Sequence, residues 1–96
     1  MISFVVRRRH DPERCSGADP QKATMLLRCL SKEYTAHHGV TVRAEAVVDR
    51  QHTRHMIVEA EEVGNVQRYM APFAQGGSVE VLPASPCEVI VARGGC

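Results

Sequence analysis

Three features of the sequence predict an α+β domain with its elements in the order βαββαβ. Apolar and polar residues alternate over residues 2–10, 40–48, 54–60 and 78–82, the period of strands with one buried face. Between Asp19 and Gly39, and again over about 61–74, apolar residues recur every three or four positions, the period of a helix. The chain has 96 residues, enough for one domain and too few for two.

The elements follow in order. In ISFVVRRRH (2–10), Ile2, Phe4 and Val6 share one face and Val5, Arg7 and Arg9 the other. Residues 11–18 hold Pro, Gly, Ser and Asp and predict a loop. Asp19-Pro20 reads as an N-cap with proline at the first helical position, and Ala23, Leu26, Leu27, Leu30 and Tyr34 mark the buried face of one helix ending at Gly39. His37-His38 complements the dipole at its end. Cys29, in mid-helix, is expected to be buried. VTVRAEAVV (40–48) alternates most clearly, so Val42, Ala44, Ala46 and Val48 are expected toward the core with Val40. In the third strand, 54–60, Met56, Val58 and Ala60 are the core set. Val63, Val66, Met70 and Phe73 line the second helix, which Pro72 ends or kinks. Gly76-Gly77 turns into the fourth strand, 78–82, and CEVIVA (87–92) predicts a short fifth strand within a C-terminal extension, 83–96.

The arrangement with this element order is ferredoxin-like: an antiparallel sheet of order 4-1-3-2, both helices on one face. It brings the end of the first strand, the connection between the second and third, and the start of the fourth to one rim. The other sheet face would carry Val5, Arg7, Arg9, Arg43, Glu45, Val47, His55, Ile57, Glu59, Val79 and Val81. That mixture is too apolar for a solvated face and too charged for a core. It predicts a homodimer with two sheets packed face to face, as in dimeric α/β barrels.

Composition narrows the function classes. Net charge is +1, and Arg7-Arg8-Arg9 cannot form one basic stripe along a strand, which argues against a nucleic-acid partner. No apolar run approaches ~18 residues, so no membrane span is expected. The cysteines Cys15, Cys29, Cys87 and Cys96 show no regular spacing, and a strand-like run begins at Ile2, so the expected location is the cytoplasm.

The sharpest chemical feature is His10-Asp11-Pro12-Glu13-Arg14-Cys15, directly after the first strand. With His52 at the same rim, His10, Glu13 and Cys15 form a candidate metal set of two imidazoles, a thiolate and a carboxylate. It suits zinc first and iron or copper after it. A second candidate set, on the sheet face, is catalytic: His55 as acid/base together with Glu59, and Arg7 and Arg43 to hold an anionic substrate.

The chain resembles a family of short, mostly bacterial proteins of unknown function. It does so through Pro12-Glu13-Arg14-Cys15 after a His-ended strand, and through His52-Thr53 followed by Ile57-Val58-Glu59-Ala60. The resemblance runs from Ile2 to about Leu82 and implies the fold and the rim residues without supplying a reaction. The wider group it implies, dimeric α/β-barrel proteins, includes monooxygenases, isomerases, dehalogenating enzymes and haem-degrading enzymes, and fold alone does not choose among them. Three readings stand together: a ligand- or metal-binding homodimer, a cofactor-independent small-molecule enzyme, and an interaction domain with an inert rim.

Overall fold

Strands β1 (Ile2–His10), β2 (Val40–Val48), β3 (Thr53–Ala60) and β4 (Gly77–Ala84) form one antiparallel sheet of order β2-β3-β1-β4, as the sequence predicts. The computed structural model describes residues 1–15, 19–74 and 77–96. Part of the predicted loop (16–18) and the first glycine of the predicted turn, Gly76, lie outside the described residues. Helices α1 (Pro20–Cys29) and α2 (Lys32–His37) link β1 to β2, α3 (Val63–Met70) links β3 to β4, and α4 (Cys87–Arg93) follows the sheet. No helix among the described residues is long and apolar enough to cross a membrane.

All the helices that contribute to the core lie on one face. Phe4, Val6, Met56, Val58 and Ala60 rise from the sheet to meet Cys29, Val66, Tyr69, Met70 and Phe73, and all ten are buried. Cys29 is buried as expected, and the Tyr69 hydroxyl donates to its carbonyl at 2.7 Å. The opposite face, with Arg7, His55, Ile57, Glu80 and Leu82, is exposed.

Four expectations need correction. The single helix between Asp19 and Gly39 is two helices. Asp19 caps the first by accepting from the Gln21 and Lys22 amides, and Ser31 starts the second by accepting from the Tyr34 amide at 3.3 Å. Leu27, expected on the buried face, is 70% exposed, and Leu26 and Leu30 pack against the core. The predicted fifth strand is helix α4: Pro86 leads in, Glu88 favours the positive first turn, and Gly94 ends it at φ 83°. Six apolar-rich residues do not distinguish the two periods.

The other two corrections concern which residues face the helices. A β-bulge at Arg43 pairs Val42 with Val58 but Ala44 with Ile57, and one extra residue flips every later side chain in β2. Glu45 and Val47 therefore share the helix side with Met56 and Arg54, while Ala44, Ala46 and Val48 do not. In β4, Val81 pairs with Val6 and Val79 with Arg8, so both valines pack toward the helices and Ser78, Glu80 and Leu82 take the open face.

Candidate metal centre

The last residue of β1 keeps the parity of Val6 and Arg8, so His10 points to the helix side at the rim. Its amide donates to the His52 carbonyl at 3.2 Å, which ties the strand end to the β2–β3 hairpin. That hairpin is strained: Arg50 (φ 63°) and His52 (φ 51°) both occupy the left-handed region, at a cost of about 1 kcal/mol or more each. After Asp11, a one-turn 3-10 helix (Pro12–Arg14) folds the chain back, and the Cys15 amide donates to the Pro12 carbonyl at 3.4 Å. Cys15 is thereby returned over His10.

The result is a cluster. One ligand atom each from His10, Cys15 and His52 lie within 4.8 Å of one another, and all three residues are half-buried. The rings meet edge to face, 77° apart, with His52 Nδ1 3.3 Å from His10 Nε2. Arg8 Nη1 lies 3.0 Å from His10 Nδ1. A guanidinium only donates, so His10 accepts at Nδ1, carries its proton on Nε2 and donates it to His52. Burial holds His10 below the ordinary imidazole range, reinforced by the charges of Arg8, His52 and Arg54 and opposed by Asp11. The ring is thus neutral near pH 7, the form that ligates metals.

The structure brings three of the four candidate ligands together. Glu13 is exposed on the 3-10 turn and stands outside the group. The second candidate set is dispersed on the open face. Arg43 donates to Glu59, and Arg7 pairs with Glu80 at 3.4 Å. Arg7 and exposed His55 line a broad recess of about 840 Å³ that also reaches Arg9, Arg50, His10 and His52, whereas Arg43 and Glu59 are not part of its wall.

Two residues of this region escape the motif-based reading: Arg8 and Arg54, both buried on the helix side. Both guanidiniums lie over the Phe73 ring, 5.4 and 4.7 Å from its centre, and Arg8 Nε donates to the Phe73 carbonyl at 3.1 Å. Parity was the available signal, since Arg8 continues Phe4 and Val6, and Arg54 precedes Met56 and Val58 on the same face. Burial depresses both guanidinium pKa values. The charge of Cys15 works against this at Arg8, while Arg8 adds to it at Arg54. An inner cavity of about 270 Å³ lies against these arginines and the His10–Cys15–His52 cluster.

No family model, curated protein or solved structure matches the chain.

Proposed function

We propose that the chain is a small metal-binding domain that holds zinc, ahead of iron or copper, through His10 Nε2, His52 Nδ1 and Cys15 Sγ. The observation that carries this is the convergence of three ligand atoms within 4.8 Å from three separated points of the sequence. Tetrahedral zinc, with Zn–N of about 2.0–2.1 Å and Zn–S of about 2.3 Å, needs N···N edges of about 3.3 Å and N···S edges of about 3.6 Å. The imidazole nitrogens already stand 3.3 Å apart, so ligation needs the proton between them to leave, the rings to turn toward one point, and Cys15 to approach by roughly 1 Å. Two imidazoles and a thiolate form a borderline-soft set that favours zinc. Three protein ligands leave the fourth position to water or a small ligand.

The same reading includes a homodimer of ferredoxin-like, dimeric α/β-barrel type. Ile57 and Leu82 are each about half exposed on the open face (48% and 49%), between the Arg7–Glu80 and Arg43–Glu59 ion pairs. Apolar residues framed by charges of both signs suit a self-complementary contact about a two-fold axis.

The test is elemental analysis of untagged protein purified without chelator, together with its mass in solution. About one zinc per chain is expected, and Cys15→Ser and His52→Ala should each weaken zinc at least tenfold in proteins that keep the wild-type unfolding midpoint of the metal-free state. A protein that neither carries zinc nor takes it up on addition would refute the proposal.

A further inference from the structure

The inner cavity is walled by positive charge that has no partner. Arg8 and Arg54 are 7% and 5% exposed. Among the described residues neither guanidinium has a carboxylate oxygen within 4.0 Å; the ion pairs formed are Arg7–Glu80 and Arg43–Glu59, both on the open face. Arg8 gives two of its five N–H groups to neutral acceptors, the Phe73 carbonyl and His10 Nδ1. Arg54 Nε is fully buried with no acceptor among the described residues. Glu45 and Asp49 are exposed, beyond ion-pair reach, although Asp49 contributes to the cavity wall. Each uncompensated buried charge costs several kcal/mol, and two side by side also repel.

An anion seated against the two guanidiniums would supply the acceptors they lack and offset their mutual repulsion. A guanidinium presents a planar fork of donors that matches a carboxylate in a bidentate contact. Leu26 from α1 and Val47 from the bulged half of β2 give the wall its apolar part, and His10, Cys15, Asp49, Arg50 and His52 complete it. About 270 Å³ holds some nine waters, or an organic ligand of roughly ten non-hydrogen atoms.

We propose that this cavity binds a small organic carboxylate, its carboxylate between Arg8 and Arg54 and its apolar body against Leu26 and Val47. The site stands on the arginines and does not require a metal, so it and the zinc site fail separately. Where zinc is bound, a carboxylate in this cavity would reduce the positive charge that Arg8, Arg54 and the metal otherwise accumulate.

The test uses chelator-treated full-length protein titrated by calorimetry and thermal shift with benzoate, with its neutral analogue benzamide and with inorganic phosphate. Benzoate is expected to bind and raise the unfolding midpoint, with benzamide at least tenfold weaker. Arg54→Met should weaken benzoate at least tenfold. Val47→Trp, on the half-exposed wall of an edge strand and directly opposite Arg54, should fill the cavity while keeping both guanidiniums in the protein, and it decides the matter if Arg54→Met does not fold. No benzoate binding, equal binding of benzoate and benzamide, or benzoate binding indifferent to the folded variants would each overturn the proposal. Phosphate binding in the absence of benzoate binding would overturn the organic-carboxylate class.

Discussion

Replacing Arg8 with glutamine is expected to tighten zinc binding while barely changing the stability of the fold. In the metal-free protein Arg8 Nη1 holds His10 Nδ1 as an acceptor, which keeps the proton on the nitrogen that must ligate. For His10 Nε2 to offer its lone pair, that proton has to leave, and the neutral ring then carries it on Nδ1, facing a guanidinium that can only donate. Metal-bound imidazoles ordinarily donate this second N–H to an acceptor. The amide oxygen of Arg8→Gln supplies one. The charge effect acts in the same direction. The guanidinium lies roughly 6 Å from a metal at Nε2, and at an effective dielectric of about 20 it opposes one net positive charge, zinc with its thiolate, by about 3 kcal/mol.

Solvent at the half-buried rim reduces this, so a gain of roughly ten- to a hundredfold in zinc affinity is expected. The fold loses the Phe73 carbonyl's hydrogen bond and a 5.4 Å cation–π contact, about 1–2 kcal/mol together, and recovers part of it by removing a buried unpaired cation. The assay is competition against a chromophoric zinc chelator at neutral pH, with urea unfolding of both apoproteins. Unchanged or weaker zinc binding by a folded Arg8→Gln protein would refute the tautomer argument.

Other predictions concern the scaffold. A Cβ at Gly77 would overlap the Arg9 carbonyl oxygen across the β1–β4 pair, so Gly77→Ala should cost about 2 kcal/mol and lower Tm by about 10 °C; an unchanged Tm would mean that rim is looser than described. Burial pushes the Tyr69 phenol up to about 12 from an ordinary value near 10. The folded pKa is the higher one, so this contribution to stability is complete below pH 10 and is lost as pH rises toward 12, by about 2–3 kcal/mol. Urea unfolding between pH 9 and 12 should show that decline, and Tyr69→Phe should flatten it. Ile57→Asp, on the open sheet face, should convert a dimer into a folded monomer by light scattering; a monomeric wild type at micromolar concentration would remove the sheet-to-sheet interface.

Much of the scaffold was legible because period and punctuation agree in the long elements. Strands β1 and β3 keep one register from end to end, so parity read at Phe4 and Met56 holds along each, and Asp19-Pro20 and Pro72 fall at helix boundaries. The failures fall where one residue changes the period. Ser31 inserts an N-cap in a continuous helical pattern, and the bulge at Arg43 inverts β2 without leaving any irregularity in VTVRAEAVV. Alternation is unchanged by a shift of faces when small residues follow, because Ala44 and Ala46 tolerate either side.

The site was legible to the extent that it depends on topology. A 4-1-3-2 sheet order places His10 and His52 on one rim whatever the loops do, and Cys15 follows within reach of the turn at Pro12. Glu13 shares that turn but not its direction, and spacing alone does not resolve the direction of a single 3-10 turn. Arg8 and Arg54 were obscured for a different reason. An arginine in a strand is ordinarily assigned to solvent because burying an unpaired charge is costly, yet parity with Phe4, Val6, Met56 and Val58 places both inside. Where parity and charge conflict, a stable chain needs either a partner for the charge or a reason to tolerate its absence. Phe73 supplies part of a partner through its ring and carbonyl. The remainder of the charge faces a cavity beside a thiol and two imidazoles, where a bound anion would complete the pairing that the described residues do not.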